Sequence, residues 1–207
     1  MSEERLLIIS ADCHAGPREM ADFRSYVEPK HRPAFDDYLS EVEAYDRSLA
    51  TNTKSAGGPG TGDRPGEEGL WDFAVRERYL DADGVSGEVI FTQGGIPFGP
   101  WPAIVTGRKG NIPFEASPEE VAAGCRAYNR WLADQCASNP DRHFGIARVP
   151  IPDVEASVKE VEWARKAGLR GGVRLPLLAS DSMPKYNDPL YEPFWAACAA
   201  HEMPLNT

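Results

Sequence analysis

The chain opens without a long apolar run. After the acidic Met1-Ser2-Glu3-Glu4-Arg5 only Leu6-Leu7-Ile8-Ile9 is apolar, far short of the ~20 residues of a membrane span. This is neither a signal peptide nor a transmembrane segment, and a cytoplasmic location is expected. Basic residues are few and unclustered: 22 Lys and Arg against 32 Asp and Glu give a formal charge of −10. Nucleic acid and anionic membranes are therefore not expected partners. Cysteine is sparse as well. Cys13, Cys125, Cys136 and Cys198 form no Cys-x-x-Cys, so buried thiols are expected rather than disulfides or a cysteine zinc site. Phosphate-binding glycine motifs are missing too. Gly57 to Gly62 is followed by Asp63 where a Walker A loop needs Lys, and no Gly-x-Gly-x-x-Gly follows the first apolar run.

What remains is ordinary for a single soluble domain over residues 1–207, with 42% hydrophobic and 26% charged residues. Leu6 to Ile9 reads as a buried strand stopped by Gly16-Pro17. Pro33 to Ala50 has a helical spacing of Phe35, Leu39, Val42 and Leu49. Asn52 to Gly69 is too rich in Gly and Pro for regular structure and reads as a long mobile loop insertion. Trp71, Val75 and Tyr79 then mark a helix face that Gly84 ends. Glu88 to Gln93 is a second strand. Ser117-Pro118-Glu119-Glu120 forms a capping box for a helix with Val121, Cys125, Tyr128, Leu132 and Cys136 inward. His143 to Val149 is a third strand, and Asp153 caps the helix carrying Val154, Val158, Val161 and Trp163/Ala164. Gly171 to Leu175 is a fourth strand, Asp188-Pro189 opens a helix with Leu190, Phe194, Ala197 and Cys198 inward, and Met203 to Thr207 is a fifth strand.

Strands alternating with helices over short connections demand right-handed crossovers and a parallel sheet. An open doubly wound sheet and a barrel both satisfy this. A barrel needs eight strands and about 250 residues, so five strands read as an incomplete one.

The opening strand carries the chemistry. Asp12 and His14 are two apart, so on a strand they point to one face while Cys13 points to the other. A carboxylate oxygen and an imidazole nitrogen converging at a strand end make half of a catalytic zinc- or manganese-type site. Alone, the same three residues also fit a turn cap and an ordinary loop histidine.

Several segments in order resemble the amidohydrolase-related family. They are Ile9 to His14, Arg76 to Val85, Glu88 to Phe91, Tyr128 to Leu132, Asn139 to Gly145, Gly168 to Val173 and Asp188 to Trp195. Within that family they look like the aminocarboxymuconate-semialdehyde and resorcylate decarboxylases. The resemblance implies a metal-dependent (β/α)8 barrel, of which this chain supplies the first four to five units. It implies Asp12 and His14 as ligands of a divalent metal, zinc or alternatively manganese. The family's further ligands, a His at the end of the fifth strand and an Asp after the eighth, are not in these residues; the first is expected at the position after Thr207 or within about one residue of it. The implied function is a hydrolase or non-oxidative decarboxylase acting on a small aromatic or unsaturated carboxylic acid, with a homo-oligomer as an assembly the resemblance allows. The competing reading is a truncated fragment that folds or binds without turnover.

Other candidates are placed by the same frame. Gln93, Gly94, Gly95, Phe98 and Trp101 follow the C-terminal end of the second strand, either lining a substrate pocket or forming a plain loop. Arg174, near the end of the fourth strand, either meets a substrate carboxylate or closes a salt bridge on the rim. His143 begins its strand, on the face that serves stability. His201 suits a helix C-terminus, and His31 a polar loop. No general acid or base is assigned. Limited proteolysis is expected to cut first between Asn52 and Gly69; first cleavage within Val121 to Cys136 would contradict that.

Overall fold

Each strand pairs with the next one in the chain. β1 (Ile9–Ala15), β2 (Gly87–Thr92), β3 (His143–Arg148), β4 (Gly172–Arg174) and β5 (Leu205–Asn206) form one five-stranded sheet in that order, parallel at every junction. These come from a computed structural model that describes residues 6–52, 66–93, 95–99, 116–151, 153–175 and 184–207, with side chains outside the description at 45–52. Most of the Asn52 to Gly69 insertion and Trp101 lie outside the described residues. Strand order decides the architecture. A doubly wound sheet reverses direction at a switch point; this one winds one way only, as the strands of a barrel do. It is half of a barrel.

The helices are α1 (Arg32–Asn52), α2 (Phe73–Ala82), α3 (Pro118–Cys136), α4 (Val154–Lys166) and α5 (Glu192–Ala200). Their starts follow local chemistry. Ser117 and Glu120 close a reciprocal capping box on α3, Asp72 accepts from the amides of Ala74 and Val75, and Asp153 accepts from that of Ala156. Gly84 ends the α2 turn at φ 67°, a conformation glycine adopts without strain. Gly124 has a different duty: a Cβ there would stand 1.8 Å from the carbonyl oxygen of Pro97, so the loop after β2 lies directly on α3. Among the described residues no helix is long and apolar enough to cross a membrane.

Three expectations are corrected. The buried row of α2 is Phe73, Arg76 and Leu80, while Tyr79 is 43% exposed. The apolar spacing misled because the inward residue is a charged one with a buried partner. Leu190 is exposed, since Asp188 first caps a short 3-10 turn, Pro189–Tyr191, that turns its own Tyr191 inward instead. His31 is buried, 3.6 Å from carboxylate oxygens of both Glu28 and Glu119.

Alternation along the strands divides the sheet into two faces. Glu88, Ile90, His143, Ala147 and Val173 are fully buried against the helices, where Phe23 stacks edge-on with Trp131 and Phe35 with Phe98. Val89, Phe91, Phe144, Arg148 and Arg174 lie on the other face, each partly buried. That second face is the barrel interior.

A polar network joins β1, β2, β3 and α2. Arg76 donates from Nε and Nη2 to the two carboxylate oxygens of Glu88, at 2.6 and 2.7 Å. Its Nη1 donates to the carbonyls of His14 and Gly69, at 2.9 and 2.8 Å. His143 Nδ1 lies 2.8 Å from Glu88 Oε1. Its Nε2 lies 2.8 Å from Glu77 Oε1, outside hydrogen-bond geometry. His143 is thus a buried structural group at the N-terminal end of its strand.

Burial alone would raise the pKa of Glu88, but hydrogen bonds from His143 and Arg76 outweigh it and bring it down to about 2. A folded-state value below the ordinary 4.5 means that Glu88 stabilises the fold above about pH 4.5, and that this contribution is lost as pH falls through about 2. Glu88→Gln is expected to cost about 3 kcal/mol or more near neutral pH, because Arg76 is left buried without its counter-charge. Urea melts across that window should show a flattened acid limb; an acid limb as steep as wild type would contradict the assignment. A second expectation concerns the sheet edges. Among the described residues β1 bonds only β2 and β5 bonds only β4, while Leu6 and Leu7 are 79% and 77% exposed. Such edges template association. Size exclusion of these 207 residues at roughly tens of micromolar should show self-association, and a clean monomer with a cooperative melt would count against it.

Candidate functional site

The last turn of β1 aims two donors into one space. The pairing of β1 with β2 shifts register between Ser10 and Cys13, an irregularity of the kind that re-aims side chains at a strand end. Beyond it Asp12 and His14 share the inner face, with Oδ1 of the carboxylate 3.9 Å from Nδ1 of the ring. Both are open to the interior, with side chains 82% and 43% exposed. Cys13 turns the other way and donates its thiol to Ser10 Oγ at 3.0 Å; burial pushes that thiol's pKa up, helped by the nearby Glu88 carboxylate. The backbone under the pair is tied down. The His14 carbonyl accepts from Arg76, and the Ala15 carbonyl accepts from the Gln93 amide at 2.7 Å.

Next to His14 the inner face is aromatic and then cationic. His14 pairs in register with Phe91, their ring centroids 5.9 Å apart. Arg174 reaches over β3 to the same ring, its guanidinium carbon 5.4 Å from the Phe91 centroid, a cation–π distance. His14, Phe91 and Arg174 thus form a continuous line from the first strand to the fourth. Among the described residues Arg174 has no rim salt bridge. Gln93 stands two residues beyond Phe91, at the mouth of the same face, its β-carbon 3.3 Å from where a Cβ on Gly16 would sit. Phe98 is not brought to this line. It is 1% exposed, packed 5.8 Å from Phe35 and 5.6 Å from Tyr38, and takes φ 57° to enter that cluster.

One residue of this face escaped the sequence reading. Arg148 ends β3 directly beside Arg174, its Cα partner on β4. The signal was present in the chain: Arg148-Val149-Pro150 and Arg174-Leu175-Pro176 share an Arg-aliphatic-Pro pattern at the ends of consecutive strands.

The donor pair suits a divalent ion in kind and spacing. A hard carboxylate and an imidazole are ligands that both zinc and manganese accept, at about 2.0–2.2 Å, and 3.9 Å between the donor atoms can be spanned by one ion with a wide ligand angle. It is incomplete in number: among the described residues no group of three or more His, Cys, Asp or Glu stands together.

Comparison with known proteins bears on the fold. The amidohydrolase family model matches residues 108–206. A gamma-resorcylate decarboxylase of Rhodococcus jostii is 33% identical over 105 residues, covering 46% of this chain and 32% of that protein. Among solved structures, the 5-carboxyvanillate decarboxylase of Novosphingobium aromaticivorans, complexed with manganese and 4-hydroxy-3-methoxy-5-nitrobenzoic acid, superposes with a TM-score of 0.57 at 21% identity, over 99% of this chain and 51% of that one. A dihydroxybenzoic acid decarboxylase of Polaromonas with bound manganese and 2-nitroresorcinol gives 0.56 at 20% identity, over 96% and 48%. The chain spans about half the length of these solved relatives and about a third of the curated one. The chain thus resembles the amidohydrolase family over residues 108–206, and its five-stranded sheet has the fold of half of these solved structures.

Proposed function

We propose that this chain contributes the metal-binding first half of a divalent-metal-dependent carboxy-lyase that acts on a small aromatic carboxylic acid, with hydrolysis on the same scaffold as the alternative reaction. The observation that carries the reading is the convergence of Asp12 and His14 at the C-terminal end of β1, beside Phe91 and Arg174. Asp12 and His14 would hold the metal. Zinc fits the donors, and manganese is the metal named in the solved decarboxylases. When bound, such an ion acts as a Lewis acid on the substrate's carboxylate and neighbouring oxygen. The chain's own residues do the rest. Phe91 packs the substrate ring, Arg174 meets its carboxylate, and Gln93 narrows the mouth. Arg76 holds the His14 backbone from beneath, and the apolar wall of Phe91 and Ile146 keeps water from the ring. Decarboxylation is preferred to hydrolysis because the relatives with named activities are decarboxylases. A cytoplasmic, self-associating protein belongs to the same reading.

A second reading has its own support. Two protein ligands are fewer than the three of a catalytic site, and the described residues hold no third beside them. These 207 residues alone would then bind without turnover.

In protein carrying the whole barrel, Asp12→Asn or His14→Ala is expected to lower metal content and to cut carbon dioxide release from 2,6-dihydroxybenzoate by about two orders of magnitude, with circular dichroism unchanged. His143→Ala should lower the melting temperature and leave turnover near wild type. The reverse pattern would move the active face to the other end of the sheet. Acid production without carbon dioxide, followed by pH-stat on lactones, would favour hydrolysis. Tight one-to-one zinc or manganese binding by the present chain, measured calorimetrically, would favour the enzyme reading for the chain itself, and its absence the second reading.

A further inference from the structure

We propose that Arg148 and Arg174 form an anion cradle for an aryl carboxylate, each guanidinium gripping the carboxylate while the ring lies on Phe91. The inference rests on the reading above for where substrate enters, and on its own observations for what is held there.

The first observation is like charge against like charge. Arg148 and Arg174 are direct partners on adjacent parallel strands, about 4.8 Å apart in backbone, and alternation sends both side chains to the inner face. Like charges directly opposed on a sheet destabilise it. A chain with 32 acidic residues has ample means to neutralise them. It does so elsewhere, even at the surface: Arg24 holds Asp36, Arg126 holds Glu28, and Arg170 holds Asp141. Among the described residues Arg148 and Arg174 hold no carboxylate. Two partly buried cations side by side, with no carboxylate partner among the described residues, make a place for an anion.

The second observation is rigidity. The Asn129 side chain donates to the Arg148 carbonyl and accepts from the Arg148 amide, both at 2.8 Å. Asn129 is itself fully buried and donates to Glu160 at 2.8 Å. The end of β3 is thus clamped from the helix side, while its side chain points inward. Arg174 is steadied by the Phe91 ring.

The third observation selects the anion. Ile146, 1% exposed, lies two residues before Arg148 on the same face and pairs with Gly172. Together with Phe91 it gives an apolar floor below the guanidinium forks. A planar carboxylate accepts paired hydrogen bonds from such forks, and a flat ring attached to it covers the floor. A phosphate would satisfy the forks and leave the floor in water.

The test titrates benzoate into the chain in EDTA, so that no metal contributes, against benzamide and inorganic phosphate. Saturable benzoate binding is expected, with benzamide not bound and phosphate weaker. Arg148→Met and Arg174→Met should each weaken benzoate roughly ten-fold or more, and the Lys variants, which keep charge but lose the fork, should fall between. Without ligand each Met variant should melt at or above the wild-type temperature, because one of two opposed charges is gone. Wild-type benzoate affinity in both Met variants, no saturable binding to the wild type, or phosphate bound more tightly than benzoate would each overturn the cradle. So would lowered melting temperatures in both unliganded Met variants, which would make the pair a structural one. Benzoate binding in EDTA with no turnover on added manganese in the whole barrel would keep the cradle and reject the metal reading. Turnover with an unchanged KM in Arg148→Met would do the opposite.

Discussion

Arg76 and Glu88 meet with almost no contact with water, and the arrangement around them follows from that. A guanidinium and a carboxylate removed from solvent each cost several kcal/mol, which is offset only when nearly every donor and acceptor is used. Here the fork of Arg76 matches both oxygens of Glu88, and its remaining nitrogen serves two carbonyls. One of those carbonyls belongs to His14, so the strand end that presents the candidate ligands is anchored to a charge on α2. Displacing β1 by one residue would strand the guanidinium and flip Asp12 and His14 to the helix side.

The two ends of the sheet treat charge in opposite ways. At the N-terminal ends of β2 and β3, Glu88, His143, Glu77, Arg76 and Arg142 pair with one another inside the protein. At the C-terminal ends, Asp12, His14, Arg148 and Arg174 face the interior, and neither arginine has an acidic partner among the described residues. Charges satisfied internally stabilise a fold. Charges left facing a cavity are available to a ligand. A complete barrel separates a stability face from an active face at the same two ends.

Capping, periodicity and turn chemistry are local, and they were legible in the chain. Ser117-Pro118-Glu119-Glu120 sets the start of α3 because its hydrogen bonds close within four residues. The alternation of strands and helices along the chain followed from apolar runs and helical spacing, and Asp12 and His14 were placed together by a spacing of two. Gln93 and Arg174 were singled out because strand ends are easy to locate in the sequence. Phe98 was misplaced for a complementary reason. A loop aromatic near a strand end looks like a pocket wall until α1 supplies Phe35 and Tyr38 to bury it.

The sequence by itself determined which segments are strands and helices, the parallel sense of the sheet and the same-face placement of one carboxylate and one imidazole. Those depend on residues within a turn or two of each other. Only the tertiary structure decided that the sheet winds in one direction, that Arg76 turns inward on α2, and that Arg148 and Arg174 stand shoulder to shoulder across two strands. These outcomes depend on partners far away in the chain: Arg76 is drawn to Glu88 from 12 residues away and to His14 from 62. A charged residue reads as solvent-exposed until the buried counter-charge that makes its burial favourable is brought beside it, and no local pattern reports that.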